Sequence, residues 1–343
     1  MVITMINLLK ELCLINGVSG DEARVREYIC KKISGKCDYQ TDPLGNIIAF
    51  KKGRKTPAKK LMISAHMDEV GMIVTSIKAD GTMTIASVGG VDARVAAGRS
   101  VTVGDNGISG VIGTKAVHNL SDDEKKKAPD FDRLYVDIGA ESRDEAEKYV
   151  SLGDRVCFAS EFIEFGSGFV KCKAIDDRFG CAVMIKLIES ELEYDCWFTF
   201  VVQEEVGLRG AKTAAYTVNP DFALVLEATT AADIPMAADE KKCCILGKGP
   251  VVSHMDRSTV YDKEMYLLSK KIAAENNISW QTKTMVAGGN DSGAIHITNS
   301  GVRTLAISVP CRYLHSPSCV IKMSDALESY KLAEKMITGI CEL

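Results

Sequence analysis

Acidic residues and histidines stand at the ends of apolar runs in five places along this chain of 343 residues: His66 with Asp68, Asp176 with Asp177, Glu204 with Glu205, Glu227, and His315. Histidine nitrogens with several carboxylates and no partnering cysteine suit zinc, cobalt or manganese better than a Cys-rich structural zinc site. A pair of such ions takes about five ligands, at least one a bridging carboxylate, and at about 3.5 to 4 Å apart the ions share a water for hydrolysis. The inventory is sufficient for that. Taken singly, each residue has a plainer reading: a strand-end histidine satisfied by a carbonyl, a helix N-cap at Asp176-Asp177, a surface acid at Glu227. Taken jointly, independent accident is the weaker explanation.

The elements that must position these groups are legible from hydrophobic pattern. The run from Trp197 to Gln203 reads as a buried strand that delivers Glu204 and Glu205 to the carboxyl edge of a sheet. Neighbours on a strand point to opposite sides, so one glutamate can bind an ion while the other faces the cleft. The run from Lys60 to Ala65 ends in His66-Met67-Asp68-Glu69, and period two puts His66 and Asp68 on one face. Helices are predicted over residues 6–16, 21–34, 178–191, 208–217, 260–276, 292–299 and 324–340, and further strands over 47–50, 222–227 and 302–309.

Between about Val70 and Phe165 the texture changes to short alternating runs punctuated by glycine, an all-β signature. Within it, His118 to Arg133 reads as a mobile polar loop and Ser142-Arg143-Asp144-Glu145 as a helix-capping box. The fold expected is therefore α/β, a central mixed sheet flanked by helices, with a small all-β domain inserted. Residues 1–69 and 167–343 would form a discontinuous catalytic domain and 70–166 the insert.

Composition excludes several classes. A net charge of -4 with scattered Lys and Arg gives no electrostatic case for nucleic acid. No apolar run approaches the roughly 20 residues that span a bilayer, and the N-terminal stretch, with charges inside its apolar pattern, is not a signal peptide. A cytoplasmic protein without membrane contact is expected. The 12 cysteines are spread from Cys13 to Cys341 with no CxxC, so reduced, mostly buried thiols are expected.

Five motifs in order carry a resemblance that covers essentially the whole chain: Ala65-His66-Met67-Asp68-Glu69-Val70-Gly71, Ala174-Ile175-Asp176-Asp177-Arg178-Phe179-Gly180, Gln203-Glu204-Glu205-Val206-Gly207, Gly288-Gly289-Asn290-Asp291-Ser292 and Tyr313-Leu314-His315-Ser316-Pro317. The sequence resembles the M42 family of dinuclear metallo-aminopeptidases. The resemblance implies that Asp176 bridges two divalent ions, zinc or cobalt first and manganese as a third choice, with His66 and Glu227 completing one site and Glu205 and His315 the other. It implies Glu204 as the general base, Asp68 as the carboxylate that orients His66, and a cis peptide bond at Asp176-Asp177. Gly288 and Gly289, with Asp291, would lie near substrate; among the remaining histidines His254 is the one whose loop context brings it towards substrate. Glu227 stands where many members carry aspartate. The family also implies short peptides as substrate, and an insert that makes dimers which assemble into a hollow dodecamer. Two rivals stand beside the aminopeptidase reading: a β-1,4-glucanase, which would leave the histidines without a purpose, and a non-catalytic peptide-binding scaffold.

Overall fold

The computed structural model describes residues 2–343; Met1 lies outside them. Its centre is an eight-stranded mixed sheet in the order Asp38–Thr41, Ile47–Lys51, Cys196–Val201, Leu61–His66, Phe222–Thr230, Arg303–Cys311, Val251–Val252, Gln281–Thr282. The middle four strands run parallel, and antiparallel strands flank them on both sides. Every residue of Leu61–His66 is buried, as a parallel strand covered on both faces requires.

Helix Ile175–Glu189 packs on Leu61–His66 and Phe222–Thr230, while Val2–Leu14, Ala23–Ile33 and Met323–Cys341 cover its other side. It is buried along almost its whole length for that reason. Arg209–Val218 packs against Cys196–Val201 and the short helix Ser292–Ile295. All of these elements contribute to one main apolar core.

Residues 71–158 contain a closed six-stranded barrel, Gly71–Ile77, Met83–Val88, Tyr135–Asp137, Ile108–Gly113, Ser100–Val103 and Arg155–Phe158. It has an apolar core of its own, with Met72, Val74, Val101, Val136 and Val156 inside. A third, three-stranded sheet joins Ile163–Phe165, Phe169–Cys172 and Cys319–Lys322. The stretch read as a mobile polar loop, His118 to Arg133, carries short helical turns at Val117–Asn119 and Phe131–Arg133 and a helix at Asp122–Lys125. Ser121 and Glu124 form a reciprocal capping box there, a local signal that the polar composition of the segment obscures. All 12 cysteines are free, nine buried and three half-buried. No helix among the described residues is long and apolar enough to cross a membrane.

One buried cation ties the N-terminal helices to the core beneath the site. Arg178, wholly buried, donates from Nε to the Met67 carbonyl at 2.7 Å and from Nη1 to the Leu12 and Ile15 carbonyls at 2.6 and 3.0 Å. Its Nη2 lies 3.6 Å from Glu69 Oε1, which Lys173 Nζ meets at 2.5 Å. Arg178→Met would take a side-chain donor from three buried carbonyls and leave Lys173 as the one cation beside the Glu69 carboxylate among the described residues. It is expected to destabilise the fold by about 3 to 5 kcal/mol, read as a fall in the urea midpoint at constant m-value.

Candidate metal centre

The parallel strands bring the first residues together by register. Val201 pairs with His66, and Val225 pairs with Ser64 on the other flank, so Glu227, two residues further on, lies level with His66. Three neighbouring strands thus converge on one edge of the sheet.

Glu204 and Glu205 reach that edge differently from the expected strand end. The strand stops at Val201. The Val202 N–H leaves the ladder for Asn46 Oδ1 at 2.9 Å, and Gln203 takes a left-handed φ of 56°, which turns the chain out of the sheet. The two glutamates therefore sit in the turn before helix Arg209–Val218. A Cβ on Gly210 would overlap the Val202 backbone, so only glycine permits so tight a return. Asp68 pins the turn: its carboxylate accepts from Glu204 N at 3.0 Å, Glu205 N at 3.2 Å and Ser19 Oγ at 2.6 Å. Division of labour between the glutamates is set by this turn and not by strand alternation.

Asp176 opens helix Ile175–Glu189 with non-helical dihedrals, and its peptide bond to Asp177 is cis. Its carboxylate lies between two sets of donors. Oδ1 is 3.1 Å from His66 Nε2, and that nitrogen is 3.6 Å from Glu227 Oε1. Oδ2 is 3.5 Å from His315 Nε2, which is 3.3 Å from Glu205 Oε2. On their other sides, His66 Nδ1 faces the Asp68 carbonyl at 3.1 Å and His315 Nδ1 the Gly90 carbonyl at 3.2 Å. A ring that donates Nδ1–H to a carbonyl turns its Nε2 lone pair towards the carboxylates. Lone pair against lone pair is stable only with positive charge between them.

Nitrogen and oxygen donors bound about 2.1 Å from one ion at tetrahedral angles sit about 3.4 Å apart, the spacing seen here between each histidine and its carboxylates. The residues present therefore fit divalent ions. Potential ligand atoms of His66, Asp176 and Glu205, and of His66, Asp177 and Glu227, lie within 4.8 Å of one another. Asp177 was not assigned a ligand role from the sequence; it is wholly buried, and its Oδ1 accepts from Gly180 N at 2.9 Å.

Electrostatics agree with an unsatisfied demand for cations. Burial pushes the Glu205 and Glu227 carboxyls well above their usual range, with Asp176 adding repulsion. Burial likewise pushes Glu204 up to about 7. Asp176 is held well below the usual range, because its contacts with His315 and His66 outweigh burial. His315 rises to about 9, its contacts with Asp176 and Glu205 overcoming the opposing effect of burial. Bound cations would reverse the upward shifts.

His66, Asp176, Glu204, Glu205, Glu227 and His315 open onto one cavity of about 790 Å³, which Gly288 and Gly289 also line. Gly288 has a φ of 68°, a conformation natural to glycine. Asp291 and His254 are placed elsewhere. Asp291 lies beneath the floor, 1% exposed, with neither carboxylate oxygen hydrogen-bonded among the described residues. It opens the short helix Ser292–Ile295 and turns inward. His254 is exposed on an outward loop, its ring 6.2 Å from that of Tyr266, and does not line the cavity. Sequence reasoning did not single out Ser19, and nothing in its local pattern marks it.

Asp68→Asn would present an amide group to the N–H donors of Glu204 and Glu205 and weaken the hold on both. A 10- to 100-fold loss in metal affinity or kcat/KM is expected, measured by metal titration beside steady-state kinetics.

Comparison with known proteins gives a consistent picture. The sequence profile of M42 glutamyl aminopeptidase matches residues 45–332. A protein of Acetivibrio thermocellus named an aminopeptidase is 41% identical over 341 residues, 98% of each chain. The TET1 peptidase of Pyrococcus horikoshii, which can assemble into a tetrahedron or a large octahedral shell, superposes with a TM-score of 0.85 at 36% identity, over 96% of this chain and 98% of that one. A Thermotoga maritima structure named an endoglucanase superposes with a TM-score of 0.80 at 39% identity, over 97% and 99% of the two chains.

Proposed function

This chain belongs to the M42 family of aminopeptidases, hydrolases of peptide bonds, and from that premise we propose that it is a dinuclear metal-dependent aminopeptidase acting on short peptides. The observation that carries the reading is the Asp176 carboxylate, one oxygen 3.1 Å from His66 and the other 3.5 Å from His315. His66 and Glu227 would hold one ion with Asp176, and His315 and Glu205 the other. When bound, zinc, cobalt or manganese ions polarise the scissile carbonyl and lower the pKa of water.

The chain's own residues do the rest. The Glu204 carboxylate takes the proton from the attacking water and returns it to the nitrogen of the leaving amine. Asp68 fixes the Glu204 and Glu205 backbone and steadies His66 through the 3.4 Å approach of its Oδ1 to Nδ1. Gly288 and Gly289 let substrate backbone come close to the cavity wall. Asp291 supports the floor beneath substrate.

Metal-stripped protein, reconstituted with zinc, cobalt or manganese in turn, is expected to release p-nitroaniline from free-amine aminoacyl-p-nitroanilides and not from their N-acetylated forms. Silence across the panel with every metal would sink the reading. The endoglucanase name of the Thermotoga maritima relative favours β-1,4-glucan cleavage as a second reading. Glycoside hydrolysis by a carboxyl pair needs no metal, so loss of activity on chelation separates the two.

The assembling TET1 relative supports a homo-oligomer here, with residues 70–166 making dimer contacts and dimers building a dodecamer; light scattering of the purified protein measures it. The 12 free thiols support a reducing, cytoplasmic setting.

A further inference from the structure

Thiols meet in pairs at Cys13 with Cys172, at Cys311 with Cys319, and at the chain neighbours Cys243 and Cys244. The first two pairs are closed in: Cys13, Cys172 and Cys311 are 0% exposed, and Cys319 borders a crevice of about 10 Å³. Cys243 differs, because it lines the cavity of about 790 Å³ that holds the metal centre. Its backbone is held on both sides. Cys243 N and Cys244 N donate to one carbonyl, that of Ala231, at 2.9 and 3.1 Å, and Thr284 N donates to the Cys243 carbonyl at 3.1 Å. The Cys244 thiol meets the Thr230 carbonyl at 3.7 Å, while the Cys243 sulfur faces Lys283 and the Met285 N–H. Lys283 Nζ is itself anchored on the Ala287 carbonyl at 2.8 Å.

A sulfur that accepts from a thiol and an N–H beside an ammonium is favoured as the thiolate, the form that attacks. Contact with the Cys244 thiol, helped by Lys283 and the Met285 N–H, holds the Cys243 thiol below its usual range against the opposing effect of burial. The half-buried thiols of Cys30, Cys37 and Cys341 are pushed up by burial instead. A thiolate reached through a cavity, with a second thiol beside it, is the arrangement that peroxide oxidises first. We propose that Cys243 and Cys244 are an oxidation site in the cavity wall, Cys243 attacking hydrogen peroxide and Cys244 closing a disulfide onto it. The Cys243 thiolate forms an S–O bond as the O–O bond breaks, and the hydroxide that leaves takes up the proton the thiol released. The Cys244 sulfur then attacks the sulfenic sulfur; the S–S bond forms, the S–O bond breaks, and hydroxide departs with the Cys244 proton as water. Two thiols lose two electrons, and one peroxide becomes two waters. Neighbouring Cα atoms are about 3.8 Å apart, short of the roughly 4.4 to 6.8 Å of ordinary bridges, so the bond is readily reduced and the modification reversible. Closure takes a donor from the Thr230 carbonyl, at the end of the strand that carries Glu227, and a thiolate from Lys283 and Met285, which lead to Gly288 and Gly289. As a statement about turnover the proposal rests on the aminopeptidase reading; as a statement about oxidation it does not.

The test treats the full-length protein with graded hydrogen peroxide, alkylates the remaining thiols and weighs the tryptic peptides. Cleavage after Lys242 and Lys248 isolates residues 243–248, which contain Cys243 and Cys244 and no other cysteine. This peptide is expected to lose both alkylation sites, as a disulfide, at peroxide doses that leave every other cysteine alkylated, and dithiothreitol is expected to restore them. Cys243→Ser should leave Cys244 alkylated at those doses. Cys244→Ser should leave Cys243 as a sulfenic acid that dimedone traps. Oxidation that reaches Cys13 with Cys172 or Cys311 with Cys319 first overturns the proposal, as does equal loss of Cys244 alkylation in wild type and Cys243→Ser. Turnover of leucyl-p-nitroanilide by the oxidised wild type is expected to fall by about fivefold or more, the scale of one lost hydrogen bond. It should recover with dithiothreitol, and peroxide should leave the turnover of Cys243→Ser unchanged. An active protein whose turnover is the same with the disulfide fully formed overturns the link between the pair and the cavity. A wild-type protein that forms the disulfide but hydrolyses no p-nitroanilide in either state supports the oxidation site and counts against the aminopeptidase reading alone.

Discussion

Glu204→Gln is expected to lower kcat by about 10²- to 10⁴-fold, the usual range for a positioned acid-base group, while leaving metal content and KM close to wild type. The structure gives the reason for the separation. No described residue donates a hydrogen bond to the Glu204 side chain, so its carboxylate is not engaged in holding the fold together. The glutamine keeps the size of the side chain, and the backbone N–H that Asp68 holds at 3.0 Å is untouched. What is lost is an oxygen able to accept a proton. Glu205→Gln makes the contrast: its carboxylate sits 3.3 Å from His315 Nε2, and its replacement is expected to lower metal content along with rate. Steady-state kinetics with p-nitroanilides and elemental analysis of both variants separate base from ligand. A Glu204→Gln enzyme as fast as wild type would remove Glu204 from the mechanism.

The pH profile follows from the same residue. Burial raises the Glu204 carboxyl to about 7, and bound cations lower it from there. A base works only when deprotonated, so kcat/KM should fall as pH drops through this pKa. The acid limb is expected at or below about pH 7 and should be lost in Glu204→Gln.

What the sequence disclosed depends on how local the cause is. Leu61–His66 and Phe222–Thr230 read correctly as strands because parallel strands buried on both faces are continuous apolar runs. Asp38–Thr41 escaped notice because all four of its residues are exposed, which leaves no alternation to read. Tyr135–Asp137 has three residues, too few for a period of two to show, and it is the barrel's closure that makes it a strand. The Glu204-Glu205 pair was visible as chemistry, but its geometry was not. The acceptor that bends the chain there, Asp68, lies 136 residues away from Glu204 in sequence, and Asn46, which draws off the Val202 N–H, lies 156 residues from it. Asp291 shows the converse: its motif places it beside Gly288 and Gly289 in sequence, yet those glycines line the cavity while the aspartate is buried.

Asp176→Ala is expected to remove both ions and lower activity by about 10³-fold or more, since a pair of cations supplies several kcal/mol of transition-state stabilisation. The argument is geometric. His66 with Glu227 forms one set and His315 with Glu205 the other, and the carboxylate of Asp176 lies between them, with each oxygen facing one histidine. Removal of either histidine leaves the opposite set complete, its shared Asp176 included, so His315→Ala should retain close to half the metal of wild type. Removal of Asp176 takes a ligand from both sets at once and leaves four carboxyl groups, those of Asp177, Glu204, Glu205 and Glu227, without their shared neighbour. The double variant Asp176→Ala/His315→Ala should then be no worse than Asp176→Ala, the non-additivity that marks groups acting as one unit. Metal content per protomer, measured across the three variants with circular dichroism to verify folding, decides the matter. An Asp176→Ala protein that still holds one ion would show that the two sets are independent, and Asp176 would then be a ligand of one site only.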